Sequence, residues 1–315
     1  MRRPWLPCSW VCTAASRSRC FRKRPPSVWS VSALAKRRLV QWCSTLLYNL
    51  NWQGFGTGRI YQGDLKTACV PGLNCYSCPG AVGACPVGAL QSSLSGIMPR
   101  FPFYVLGLLL LFGLLFGRFI CGWLCPFGLV QELIYKIPAA KIRKNVLTER
   151  LCYGKYAAAL LLVVLFPLLL FLWTGIGEPV FCKYVCPAGT LEAAIPLLSL
   201  DPFLASAVSW LTAWKFIILG VFLVAMIFVY RPFCRFMCPL GAWYGCFNSQ
   251  AAFGITVDQS RCTHCGACAS VCPMDVKLAG DRECISCGSC RPVCPVQAIS
   301  YRQPGKSFYQ QEEKK

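Results

Sequence analysis

Three stretches of the chain are apolar over the thickness of a bilayer, and each predicts a membrane-crossing helix. Residues 101–117 carry no charge, and the apolar pattern resumes up to Cys121. Residues 156–177 are also uncharged and include Pro167, which predicts a kink. Residues 208–230 hold one charge, Lys215, near enough to the start to snorkel out, with Trp210 and Trp214 placed for an interfacial belt. About 20 residues at roughly 1.5 Å each span the roughly 30 Å hydrocarbon layer. A shorter stretch, residues 39–50, follows Lys36, Arg37 and Arg38 and is broken by Gln41 and Asn49. It reads as a fourth, poorer span or an interfacial helix.

Basic residues then set an orientation. Lys136, Lys141, Arg143, Lys144 and Arg150 follow residues 101–121, Lys36 to Arg38 precede the first span, and Arg231 and Arg235 open the C-terminal part. Residues 51–100 hold only Arg59, Lys66 and Arg100, and residues 178–207 only Lys183. Four spans with both ends in the cytoplasm fit this bias, as a multi-pass protein of the cell membrane. Of the 315 residues 56% are hydrophobic, too many for an ordinary soluble domain. The formal charge of +20 does not point to nucleic acid, because the basic residues flank apolar spans and form no aromatic-laced stripe. Residues 1–35 are rich in Arg, Pro, Ser, Trp and Cys without periodicity. They read as an upstream mis-start or an unstructured tail, with Cys8, Cys12 and Cys20 lacking partners at ligand spacing.

The 24 cysteines change the picture most. They sit at metal-ligand spacings, often before proline, which implies thiolates in a reducing, anaerobic cell. A single histidine, His264, leaves little for haem or histidine-based metal sites. The sharpest motif is Cys262-x2-Cys265-x2-Cys268-x3-Cys272-Pro273, repeated as Cys284-x2-Cys287-x2-Cys290-x3-Cys294-Pro295. In such a double repeat the fourth cysteine serves the other cluster. Cys262, Cys265, Cys268 and Cys294 are therefore expected to hold one [4Fe–4S] cluster, and Cys284, Cys287, Cys290 and Cys272 a second. Ile255–Val257 and Ile299–Tyr301 are expected to close this module as short strands. His264, between two ligands, is expected to be an exposed loop residue.

A second repeat lies nearer the spans: Cys121-x3-Cys125-Pro126-x-Gly128, Cys182-x3-Cys186-Pro187-x-Gly189 and Cys234-x3-Cys238-Pro239-x-Gly241, with a variant Cys75-x2-Cys78-x6-Cys85-Pro86-x-Gly88. Proline suits a first helical turn, whose N–H has no partner anyway, and the helix start then faces the thiolates. On the four-span topology Cys121, Cys125, Cys234 and Cys238 gather at the cytoplasmic end as an inner cluster site. Cys75, Cys78, Cys85, Cys182 and Cys186 gather at the opposite end as an outer one, with Cys75 or Cys78 spare. Disulfides are the competing reading. Cys43, Cys69, Cys152 and Cys246 are expected to be buried free thiols, and Glu132, Glu178 and Glu192 solvated surface or interfacial groups.

These motifs make the chain resemble the membrane polyferredoxins of the NapH, NosR and CcoG type, from about Lys36 to Tyr301. Residues 74–80 and 83–88 are similar to a subgroup from anaerobic bacteria, and the Cys182 to Pro187 motif is an addition to the simplest family pattern. The resemblance implies electron passage between quinol or cytoplasmic donors and acceptors at the membrane. The expected architecture is mainly α: a tail (1–35), a polytopic membrane bundle of three strong spans and a fourth (36–253), a small α+β bacterial-type 2[4Fe–4S] ferredoxin domain (254–302) and a polar tail (303–315). The expected function is a single-electron relay, with a soluble donor or acceptor, a quinone or partner oxidoreductase subunits, and membrane lipid as its partners. A reductase of a metal ion or of a cofactor under assembly, and an iron–sulfur redox sensor, are the alternatives.

Overall fold

The computed structural model describes residues 10–11, 21–22, 28–95, 101–142, 146–206 and 208–302. Cys8, Cys12, Cys20 and the polar tail lie outside the described residues. The chain is mostly helical, and its short helices follow the cysteine motifs. Pro86–Ser93, Pro126–Ile134 and Pro239–Phe247 each begin on the proline after Cys85, Cys125 or Cys238. Pro187–Gly189 begins after Cys186 and runs on through a wide π turn, Thr190–Ala194, into Ile195–Leu200. In all four cases the cysteine is the N-cap residue with extended backbone. The fixed φ of proline starts the helix, and the extended cap leaves the sulfur beside the free N–H groups of the first turn.

Two helices are long and apolar enough to cross a bilayer: Thr148–Thr174, with mean hydropathy 2.6, and Trp210–Phe228, with mean hydropathy 2.3. Their leucine, valine and phenylalanine side chains, among them Leu160, Leu172, Ile217 and Val221, face outward. Contiguous apolar surface of this extent suits an apolar partner such as a lipid layer. A π turn, Ala159–Leu165, precedes Pro167 and loosens the backbone bonding that proline interrupts. The third strong span expected from sequence is shorter than a bilayer. Phe103–Phe116 has 14 residues, about 21 Å at 1.5 Å per residue, and ends at Gly117 with φ +49°. A Cβ there would meet Ala251 and Asn248 at 3.0 Å, so the turn is set by close packing.

The poorer span is also different from its sequence reading. Residues 39–48 are the second half of a helix, Val28–Tyr48, that carries its polar residues inward. Arg37, Gln41 and Ser44, one helical turn apart, are buried, while Leu39, Trp42, Leu46 and Leu47 are exposed. Arg37 and Gln41 both donate to the Gly122 carbonyl, at 3.1 and 3.0 Å, and Ser44 donates to that of Leu124 at 3.1 Å. Gln41, an interruption that weakened the hydrophobic pattern, therefore belongs to the packing face. Arg231 and Arg235, counted from sequence as cytoplasmic surface charge, are buried as well.

The C-terminal module closes as expected, with Ile255–Val257 antiparallel to Ile299–Tyr301 and Ile255 opposite Tyr301. Its two cysteine repeats share a backbone signature. Positive φ occurs at His264 and Ser286, at Gly266 and Gly288, and at Asp275 and Gln297, matching positions of the two copies. Left-handed residues between cysteines curl each loop, the kind of backbone from which anion-holding nests are made. His264 is exposed, as expected.

This module is docked against the Cys121 motif. The Gly122 Cα lies so close to the chain that a Cβ built on it would fall 2.1 Å from the Ile285 carbonyl oxygen. Trp123 donates to the Ser286 carbonyl at 3.0 Å, and Asn248 to those of Asp281 and Cys284 at 2.7 and 3.0 Å. One hydrophobic core runs from Cys186 and Cys85 through Cys121, Cys125 and Cys238 to Cys284.

Candidate metal centres

Within the ferredoxin module, Cys268, Cys272, Cys284, Cys287 and Cys290 line one small cavity together with Met274, Val276 and Ile285. Four of these five, all but Cys268, make up one of the two sets expected from the interleaved repeat. Cys262, Cys268, Cys290 and Cys294 pack against the small core of Ile255, Val257, Ala298 and Ile299. Ile285 and Cys284 face the membrane domain, so the Cys272 cavity is the proximal of the two positions and the Cys262 group the distal one.

The membrane-side set is fully enclosed. Cys121, Cys125, Cys234 and Cys238 are all buried. Burial first, and then the neighbouring thiols of the same set, push Cys125 and Cys238 upward; burial also raises Cys234, against the opposing charge of Arg231. Proton loss from them is therefore coupled to the arrival of positive charge. Gln131 donates to the Cys234 sulfur at 2.9 Å and the Gly241 N–H to that of Cys238 at 3.4 Å. The N–H groups of Gly88, Gly128 and Gly189 face the sulfurs of Cys85, Cys125 and Cys186 and favour their thiolates. At Cys238 the sulfur thereby takes the place of an oxygen cap at the helix start.

Two buried charge clusters flank this set. Glu132 accepts from Arg37 and Arg231 at 2.8 Å each, and from the Tyr230 hydroxyl. Glu283, the residue before Cys284, accepts from Arg118, Lys155 and, at 3.2 Å, the Tyr156 hydroxyl. Each cluster has two cations to one carboxylate, so each keeps one positive charge and the pair keeps two. Arg37, Arg118, Lys155 and Arg231 are all buried. Uncompensated charge in a dry interior is costly, and a dianionic group among the four cysteines would offset it. A [4Fe–4S] cluster with four thiolates carries roughly that charge when oxidised. Glu132 and its partners were not legible from sequence, which put Glu132 at a surface. Burial alone would raise its carboxyl, but Arg231 and Arg37 outweigh burial and hold it at about 2. Glu178 does lie near the surface, paired with Lys183 at 2.8 Å.

A larger cavity, of about 330 Å³, is lined by Cys75, Cys85, Cys182 and Cys186 together with Tyr76 and Lys215. Of Cys75 and Cys78, only Cys75 lines this cavity; the Cys78 thiol is directed to Asn49 Oδ1 at 3.7 Å. Glu192, half-buried instead of solvated, accepts from the Cys75 N–H at 2.7 Å, and Gln91 accepts from the Cys182 N–H at 3.0 Å. Lys215 does not snorkel away but lines the cavity. The expectation that this set lies at the opposite end of the spans from the Cys121 set is overturned by packing. Phe181, before Cys182, lies 6.4 Å ring to ring from Phe233, before Cys234. Leu73 lines the cavity while its N–H faces the Cys125 sulfur. Tyr244, fully buried beside Cys85, Cys121 and Cys125, donates to the Pro71 carbonyl at 3.0 Å. The two sets are neighbours in one core.

Among the described residues no three cysteine, histidine or carboxylate side chains stand close enough to hold a single metal ion. Two of the cysteine sets, Cys272 with Cys284, Cys287 and Cys290, and Cys75 with Cys85, Cys182 and Cys186, line cavities, and none of the described cysteines is in a disulfide. Of the unpaired cysteines, Cys69 is buried as expected and Cys152 is half-buried. Cys43 and Cys246 are exposed, since they sit on outward helix faces.

Two models of 4Fe–4S binding domains match the chain, one at residues 97–145, 159–196 and 210–255, the other at 255–277 and 281–300. An uncharacterised protein of Methanocaldococcus jannaschii is 32% identical over 172 residues, 52% of this chain and 62% of its own length. The methylamine utilization ferredoxin-type protein MauN of Methylobacillus flagellatus is 28% identical over 84% of this chain and 81% of its own. The ferredoxin-type protein NapH of Haemophilus influenzae is 25% identical over 53% of this chain and 51% of its own. The matched part thus spans less than two thirds of two of these relatives. No solved structure matches the chain. With two long apolar helices, 4Fe–4S binding domains on both sides of residue 255 and ferredoxin-type relatives, the chain belongs to the membrane-associated family of 4Fe–4S ferredoxin-type proteins.

Proposed function

We propose that the chain is a membrane-bound relay for single electrons with four [4Fe–4S] positions in a row. A [4Fe–4S] cluster, when bound, accepts and returns one electron. The distal position is held by Cys262, Cys265, Cys268 and Cys294, and the proximal one by Cys272, Cys284, Cys287 and Cys290. The third is held by Cys121, Cys125, Cys234 and Cys238, and the fourth by Cys75, Cys85, Cys182 and Cys186. The observation that carries this reading is the single hydrophobic core that joins the last three sets. The residues around them exclude water, supply N–H groups and lysine or arginine charge, and fix spacing. The ferredoxin module is assigned to the cytoplasmic side, together with Lys136, Lys141 and Arg150, and receives or delivers electrons there. The donor or acceptor at the other end is a quinone or a partner oxidoreductase subunit docked at the Cys182 end. The family's electron-transfer character supports the relay at this level.

Anaerobically purified protein is expected to contain about 16 iron and about 16 sulfide per chain, four of each per cubane. About eight of each would leave clusters in the ferredoxin module alone and defeat the relay. Ligand choice at the fourth position has its own test. Serine at Cys75, Cys85, Cys182 or Cys186 is expected to remove about four irons, while Cys78→Ser keeps the full complement. Equal losses for Cys75→Ser and Cys78→Ser would show that the cavity lining does not identify the ligands.

A further inference from the structure

Two of the cysteine repeats are preceded by an arginine at the same distance: Arg118 three residues before Cys121, and Arg231 three residues before Cys234. The structure exchanges them. Arg118 donates to the backbone carbonyl of Cys234 at 3.1 Å, and Arg231 donates to that of Cys121. The glycines of the motif make room for the exchange. A Cβ on Gly128 would lie 3.1 Å from an Arg231 guanidinium nitrogen, and one on Gly241 would lie 3.4 Å from that of Arg118. The other two motifs have no such arrangement: Gly88 faces Tyr76 and Gly189 faces the sulfurs of Cys75 and Cys186. Each exchanged arginine is completely buried and belongs to one of the two charge clusters, Arg118 with Glu283 and Lys155, Arg231 with Glu132 and Arg37. The Nε–H groups of Arg118 and Arg231, like those of Arg37, Arg235 and Arg302, have no protein acceptor.

We propose that Arg118 and Arg231 are positioning residues that clamp the Cys121–Cys238 set and raise the reduction potential of the cluster it holds. This rests on the assignment of a cluster to that set. The reduced cluster carries one more negative charge than the oxidised one. A fixed guanidinium in a dry surrounding therefore stabilises it more, and the effect is weakly screened. The exchange also locks the two halves of the site at a set distance, since each arginine is tied to the backbone of the opposite repeat.

Arg118→Gln and Arg231→Gln test the charge without stranding a carboxylate. Glu283 keeps Lys155, and Glu132 keeps Arg37, so each cluster passes from a net positive charge to neutrality. The component to follow in redox-poised EPR spectra is the one that Cys121→Ser removes. With iron content unchanged, each glutamine form is expected to shift its reduction equilibrium at least tenfold toward the oxidised state, about 59 mV for a one-electron couple. Arg231→Lys, which keeps the charge but not the fork, is expected to restore most of the shift. An unmoved component in both glutamine forms, or an equal shift in the lysine and glutamine forms, overturns the arginine role. Loss of no component in Cys121→Ser overturns instead the cluster assignment beneath it.

Discussion

Replacing Glu132 with alanine lowers the unfolding free energy by about 3–5 kcal/mol, measured by denaturation in detergent at neutral pH. Removing one partner of a buried ion pair leaves the rest unpaired in low dielectric, and losses of roughly this size follow. Here Arg37 and Arg231 would both lose their counter-ion, and both are buried. The same carboxylate gives a pH dependence with a fixed sign. Its folded value of about 2 lies below the ordinary 4.5, because the cations outweigh the burial that would raise it. The linked stability is therefore fully present above pH 4.5 and is lost as pH falls through the folded value. The size is about 3 kcal/mol, from roughly 1.4 kcal/mol per unit. Comparing parent and Glu132→Gln at pH 7 and near pH 3 isolates it. A difference in stability between the two that stays constant with pH would contradict the pairing.

Gly122→Val separates the ferredoxin module from the membrane domain. The new Cβ would start 2.1 Å from the Ile285 carbonyl oxygen, and backbone on both sides leaves no flexible atom to give way. The cost exceeds the roughly 1–3 kcal/mol of ordinary overpacking, and the loop moves off instead. The Trp123 bond to Ser286 and the Asn248 bonds to Asp281 and Cys284 then break. The ferredoxin cysteines stay within their own module, so iron content is expected to hold. Reduction of the membrane-side sets by a soluble donor is expected to slow by at least tenfold while that of the ferredoxin sets does not. Stopped-flow visible spectra resolve the two phases, and an unchanged second phase would mean that electrons bypass this contact.

Much of the site was legible because cysteine spacing and proline act locally. The helix after each Cys-Pro pair and the strands Ile255–Val257 and Ile299–Tyr301 depend on neighbours in sequence, and the chain shows them without tertiary help. What depends on long-range packing was hidden. Gln41 looks like a fault in a membrane span, and Arg37 like a flanking charge, until the Gly122 carbonyl that both serve is seen more than 80 residues away. Lys215 looks like a snorkelling charge near a helix start, yet its helix turns that face to the four-cysteine cavity. Alternating spans placed the Cys182 set across the bilayer from the Cys234 set. The short turn before Cys182 instead brings Phe181 back to Phe233. Counting spans assumes that motifs stay at helix ends, and the π turns and short helices here break that assumption.

The crossed arginines also bear on how the protein is made. The Arg118 carbonyl partner lies 116 residues downstream, at Cys234. A ribosome that has just released Cys121 and Cys125 has delivered only half a receptacle, with neither its opposing thiols nor its second guanidinium. On the proposed cluster assignment, iron loading of that pocket follows translation of the last long helix, and a chain truncated before it would leave this position empty.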